Sequence, residues 1–421
     1  MFKRSFLIIV SAVMPAVMFA QVSGYRATYF VDGNEEKDQY RSHVSLESYE
    51  SGSSAVYATN GVHLVLTRMR LNKTSGSITD TDRRETGKNS VVLADGGSNV
   101  IMEFCEVNSH TQGDGVSSSG EGTKVSIQEG SVTTSRVGAA AVNATNKSSI
   151  IVYKTNINTY SNQSPGFYAC KDGKVEITEA MGENSGQASP SFYASDGTIK
   201  AEKCRMSSTK WTIGSLDEGL LELTDSKLKA GSVCGFLVYG ADGKQREGRS
   251  TGTLVLKENE ITVTEGPLIF VTNASGNISL SRNKIICKND EIISIKADEW
   301  GPKGYNQGDA TIDLEKQTLN GDIYVDSISS LVLTLAKGGN LNGRITGDAT
   351  PGRDVKVFMK KGSKWSLKGD CYISSISFEQ PLEKGLKQLK GKHVIYYDPA
   401  VNADLGGKEY KTGGGVLRPM K

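Results

Sequence analysis

The chain has 421 residues, 37% apolar and 23% charged, which excludes a disordered polypeptide. Its 49 Lys and Arg exceed its 47 Asp and Glu by only two, Lys3 and Arg4 of the leader, so it lacks the basic surplus with which nucleic-acid binders displace counterions, and no nucleic-acid partner is expected. With 47 Gly and 9 Pro the composition suits a turn-rich β protein, and four His count against a multi-histidine metal site.

Residues 1–20 begin with Lys3 and Arg4, continue through an apolar run over 6–13, and end Val17-Met18-Phe19-Ala20. This is the layout of a cleaved secretory signal peptide. Pro15 interrupts the apolar run, which is short for a span of ~20 residues. No later stretch is long and apolar enough for a helical span, so the mature chain is expected to have none. The expected location is extracellular, cell surface or periplasmic. Residues 21–50, mixed and rich in Tyr, are expected to form an N-terminal cap.

From residue 51 the chain repeats. Short apolar segments start at Leu64, Val100, Val125, Ile150, Val175, Ile199, Leu221, Leu254, Ile278 and Ile312. In all ten the first and third residues are apolar, the period-2 alternation of a strand with one buried face. Seven residues after each start another apolar residue follows, with Gly182 the one exception. Five residues after each start the residue is usually small or an amide, as in Cys105, Thr155, Ser226, Asn259 and Asn283. Such a residue suits a tight inward bend, where an amide bonds free backbone groups. Before most segments comes another short strand, such as Phe167-Tyr168 or Leu237-Val238-Tyr239. A period of 22–25 residues built from short β segments predicts one turn of a solenoid, each coil stacked ~4.8 Å above the last. The fold expected is all-β: a single-stranded right-handed parallel β-helix of about 12–14 coils over 51–378, with a C-terminal cap and tail over 379–421.

Longer spacings mark polar insertions over 72–88, 240–252 and 298–308, where a solenoid bulges outward and often binds. Near the end, Leu382, Leu386 and Leu389 have helical spacing. Six cysteines invite disulfides, but Cys105 and Cys204 share an address four coils apart, roughly 19 Å at that rise. A disulfide needs Cα atoms within about 7 Å, so buried free thiols are expected. No cofactor is expected.

The coil pattern resembles right-handed parallel β-helix proteins of the pectin-lyase-like fold. The segment Gly362-Ser363-Lys364-Trp365-Ser366-Leu367-Lys368-Gly369-Asp370 looks like the end of autotransporter passenger domains. The tail with Ile395-Tyr396-Tyr397-Asp398-Pro399 and Gly413-Gly414-Gly415 is similar to the ends of secreted bacterial β-helix proteins. The residues after Ile376 are too few for a translocator barrel of ~10-residue strands.

The resemblance implies where chemistry would sit. Polysaccharide lyases of this fold use Ca²⁺-holding carboxylates and a proton-removing base, and hydrolases use paired carboxylates. The charged insertion holds Asp80, Asp82 and Arg84, and one coil later come His110 and Asp114. Stacking would set Arg84 and Glu85 beside His110. If the chain is an enzyme, Asp80, Asp82, Arg84, His110 and Asp114 are its expected catalytic set, with Asp80, Asp82 and Asp114 as weak Ca²⁺ candidates. The competing interpretation is a solvated loop of mixed sign, and no Asn-Thr-Asp, Gly-His-Gly or Arg-Ile-Lys set of the pectin-degrading families is present. Tyr168 and Tyr193 occur in adjacent coils after Phe167 and Phe192. Alternation lets one of each pair face out, so Tyr153, Tyr168 and Tyr193 are candidate sugar platforms, with an internal aromatic ladder as the alternative. The expected function is an exported non-catalytic β-helix that adheres to or binds polysaccharide or cell-surface glycan. The alternative is a polysaccharide lyase or glycoside hydrolase acting through the 80–88 and 109–115 loops.

Overall fold

A computed structural model describes residues 26–78, 85–240, 250–347 and 354–420. The leader and the candidates Asp80, Asp82 and Arg84 lie outside them. The chain is an all-β parallel solenoid of about 15 turns with 3% helix. Up to Cys287 each coil gives one strand to each of three sheets, so strands adjacent in a sheet are three apart in the chain, and two further four-stranded sheets belong to the C-terminal coils. The first sheet has 13 strands, from Arg26–Asp32 to Ile345–Thr346. The second has 14, from Asp38–Ser42 to Ser375–Phe378, and the third has 10, from Ser45–Ser48 to Lys284–Cys287. Among the described residues no helix is long and apolar enough to cross a membrane.

The ten segment starts found in sequence form one row of the second sheet. Leu64 pairs with Val100, Val100 with Val125, and the register holds to Ile278 and Ile312. These side chains point inward into one continuous core. The turn count exceeds the sequence estimate partly because Arg26–Asp32, Asp38–Ser42 and Ser45–Ser48 already make a complete coil. That coil ends the core with polar side chains, since Gln39 and Arg41 stand in register with Leu64 and Leu66.

The bend between the second and third sheets is built the same way in ten coils. A non-glycine residue takes the left-handed conformation (His43, Arg68, Phe104, Glu129, Lys154, Glu179, Lys203, Asp225, Glu258, Arg282), with φ between 47° and 59°. The next residue turns inward, and from Cys204 onward its backbone N–H is bonded by the side chain of the coil above. The N–H of Ser226 donates to Asn259 Oδ1 (3.0 Å), that of Asn259 to Asn283 Oδ1 (3.0 Å), and that of Asn283 to Gln317 Oε1 (2.7 Å). Asn259 Nδ2 also donates to the Leu223 carbonyl (2.8 Å). Asn259→Ala takes the acceptor from the buried Ser226 N–H and a donor from the Leu223 carbonyl and is expected to cost about 2 kcal/mol, read as a lower urea midpoint by far-UV circular dichroism. Gly182, the break in the apolar row, has a structural cause: a Cβ there would run into the Ile157 carbonyl.

All six cysteines are free, five of them buried. Burial pushes the Cys204 thiol up to about 11 and the Cys371 thiol up to about 12, so both stay protonated and pack as small apolar groups. Of the three leucines with helical spacing, Leu382 and Leu386 bound a short helix, while Leu389 lies in strand Leu389–Lys390.

Candidate functional site

The outer face of the first sheet carries a row of side chains aligned from coil to coil. Asn143 pairs with Tyr168, Tyr168 with Tyr193, Tyr193 with Ser215, and Ser215 with Leu237. Strand alternation therefore separates the two aromatic pairs. Phe167 and Phe192 point inward and stack at 5.6 Å with 10° between planes, while Tyr168 and Tyr193 point outward at 5.1 Å and 38°. The internal ladder and the external row coexist on the same strands.

Two further rings extend the outward row. Tyr239 ends strand Phe236–Tyr239, with its ring 6.5 Å from Tyr193 and its hydroxyl donating to the Tyr193 hydroxyl (3.1 Å). Burial, with Tyr193 and Asp217 nearby, raises the Tyr239 phenol well above its usual range, so it remains a donor. Trp300 stands across the row, 4.7 Å from Tyr239 at 70°. It comes from the insertion at 298–308. The Ala297 N–H donates to Asp326 Oδ2 (2.8 Å) and the Asn273 N–H to the Asn306 carbonyl (3.0 Å), tying that loop to the sheet. Gly301 has φ +78°, and any side chain there would run into Asn273, so the chain turns tightly just after Trp300.

These four rings line one side of a cleft of about 400 Å³. The opposite wall is a stack of bends from three successive coils, bearing Gly138, Gln163 and Ala188 in the left-handed conformation. The Gly138 N–H donates to the Asn162 carbonyl and the Gln163 N–H to the Gln187 carbonyl, which holds the bends in line. Pro165 and Ala140 add apolar surface, and Asp114 completes the lining. The volume lies in the range of small-ligand sites, and the cleft surface is mixed, with polar groups outweighing the apolar surface beside the four rings.

Of the expected catalytic set, His110 and Asp114 are among the described residues and share one bend. Asp114 is buried, its carboxylate accepting from the Ala140 N–H (2.8 Å), Asn143 Nδ2 (2.8 Å) and Ser117 Oγ (3.3 Å). His110, in the same bend, is exposed, and its Nδ1 meets Ser135 Oγ (3.1 Å). Glu85 is elsewhere, bonded to Lys171 Nζ (3.1 Å) at the bend after the first sheet. Among the described residues no three His, Cys, Asp or Glu are grouped as a metal would require. Of the candidate platforms, Tyr168 and Tyr193 share the cleft. Tyr153 stands half-buried on the outer face of the second sheet, with Lys154 Nζ 4.9 Å from its ring. Sequence reasoning missed Tyr239 and Trp300. The signal for Trp300 was present, a large aromatic inside an insertion already marked as outward.

Fold and cleft together define a parallel β-solenoid with an aromatic-lined cleft on one face. No protein-family model matches the chain, and no curated protein matches it either.

Proposed function

We propose that the chain is an exported, non-catalytic β-solenoid that binds a polysaccharide or cell-surface glycan in the cleft of Tyr168, Tyr193, Tyr239 and Trp300. The observation that carries this is the convergence of those four rings with the Gln163 side chain in one concave site. Aromatic surface supplies contact with the C–H faces of a sugar, and a few fixed polar groups supply orientation. The leader at 1–20 supports export to the cell surface, the periplasm or the medium. A resemblance of the C-terminal segment to passenger domains supports a role in adhesion.

The test is binding to an array of neutral and acidic glycans, followed by calorimetry on the ligands found. Trp300→Ala is expected to weaken binding at least about tenfold, ~1.4 kcal/mol. Tyr153→Ala, outside the cleft, is expected to leave affinity unchanged. Affinity indifferent to Trp300→Ala would reject this cleft. Sustained release of unsaturated or reducing ends from a polysaccharide would favour the lyase or hydrolase alternative instead.

A further inference from the structure

The cleft is walled at both ends of the residue row that it follows. Strand alternation keeps the side chains of that row out of the core, so where they lack exposed surface another segment lies over them. Before Tyr168 the row holds Leu93, Ser117 and Asn143, all fully buried. Segment 85–90 covers its start: a Cβ at Gly87 would run into Leu93 and Ser117, and Ser90 Oγ meets Ser117 Oγ (2.6 Å). Glu85 carries the segment across the sheet, its carbonyl accepting from Asn146 Nδ2 (2.5 Å) and its carboxylate from Lys171 Nζ (3.1 Å).

After Tyr193 the row continues through Ser215, Leu237, Phe270 and Ser294, and these too are buried. Leu237 and Phe270 form a small apolar cluster with Cys234, and Trp211 and Tyr239 pack against it. Trp300 stands edge-on over Tyr239, on a loop fastened at Asn273 and Asp326. The stacked bends at Gly138, Gln163 and Ala188 close a third side. Among the described residues the cleft therefore has no exit along its row in either direction.

A polysaccharide held by an internal stretch has to enter a site at one end and leave at the other. A cleft stopped at both ends of its row admits a chain that finishes inside it. We propose that the cleft takes the terminal sugars of a glycan chain, or a short free oligosaccharide, and excludes the interior of a polymer. This rests on the glycan-binding function proposed for the cleft and narrows it to chain ends.

The experiment uses the full chain with dextran, amylose, xylan, chitosan and polygalacturonate, each as the parent polymer and as fractions shortened by partial acid hydrolysis. Hydrolysis multiplies chain ends at constant mass and constant repeat unit. Calorimetry at equal mass of sugar reads the number of protein molecules bound and their affinity. For a polymer that binds, the capacity per unit mass is expected to rise in proportion to the number of chains, with the same affinity per chain in long and short fractions. A capacity per unit mass that is indifferent to chain length, or that falls as the chains are cut, overturns the proposal. If such binding is still weakened by Trp300→Ala, glycan binding in the cleft stands and only the restriction to chain ends is lost. Failure to bind any polymer, fraction or arrayed glycan removes both.

Discussion

Trp365→Ala is expected to lower the stability of the C-terminal coils by about 4 kcal/mol. Trp365 is fully buried in strand Lys364–Ser366, in register between Leu341 of the coil before and Leu389 of the coil after. Its Nε1 donates to the Gly343 carbonyl (2.9 Å). The substitution leaves a cavity the size of an indole and an orphaned acceptor, and the flanking leucines are too short to fill it. Because each coil of a solenoid contacts only its neighbours, the loss is expected to be local. Hydrogen exchange should show faster opening of amides beyond residue 340, while those of the ladder from Val100 to Leu254 keep their protection. Trp365→Phe, which keeps most of the volume, is expected to cost about 1–2 kcal/mol through the lost hydrogen bond and part of the ring. An equal loss of protection along the whole chain would contradict nearest-neighbour stability.

The stability of the N-terminal coils is expected to rise between pH 8 and pH 10.5. Lys73, at the end of strand Arg70–Lys73, has no exposed surface, and its ammonium donates to the Glu50 carbonyl (2.9 Å) and more weakly to Ser48 Oγ and Ser53 Oγ. The nearest carboxylate, that of Glu50, is engaged by Arg26 (2.9 Å). Burial pulls the Lys73 pKa down to about 8, from 10.5 when exposed. A lowered folded-state pKa means that the unfolded chain binds more protons between the two values, so stability increases with pH across that window. The cost of burying the ammonium, about 3 kcal/mol at ~1.4 kcal/mol per unit, is fully present below pH 8 and gone above pH 10.5. Lys73→Met is expected to remove this dependence. The check is the difference between the unfolding free energies of the parent and the variant, followed from pH 7 to 11, which also cancels tyrosine and cysteine titration common to both. A difference that stays flat would show that Lys73 is solvated.

Lys73 also shows where sequence reasoning ends. In the primary structure it opens a polar insertion, and a lysine there reads as solvated. The register places it in an internal polar row between Ser48 and Ser109, and only the packing of the first coils around that corner makes it buried. Glu85 and His110 teach the same lesson. Their similar repeat addresses suggested adjacency, but the insertion before Glu85 carries it to Lys171 at another corner, since a loop of extra residues need not keep the coil's phase.

The parts of the molecule that obey the repeat were legible. Inward side chains must alternate along a strand and align between coils, so ten apolar pairs at matching spacing fixed which residues are neighbours, and the observed register follows them without a slip. The amides of the inward bends were readable for a similar reason: the free backbone groups of a tight bend recur in every coil and call for the same chemistry. Tertiary structure alone decided the cleft and its end walls. Tyr239 and Trp300 reach Tyr193 from later coils, across a residue row that includes Ser215, and Gly87 reaches Ser117 from an insertion with no repeat. Local periodicity encodes what each residue faces within its coil, whereas the meeting of residues from irregular segments depends on where those loops close in space, which no spacing along the chain records.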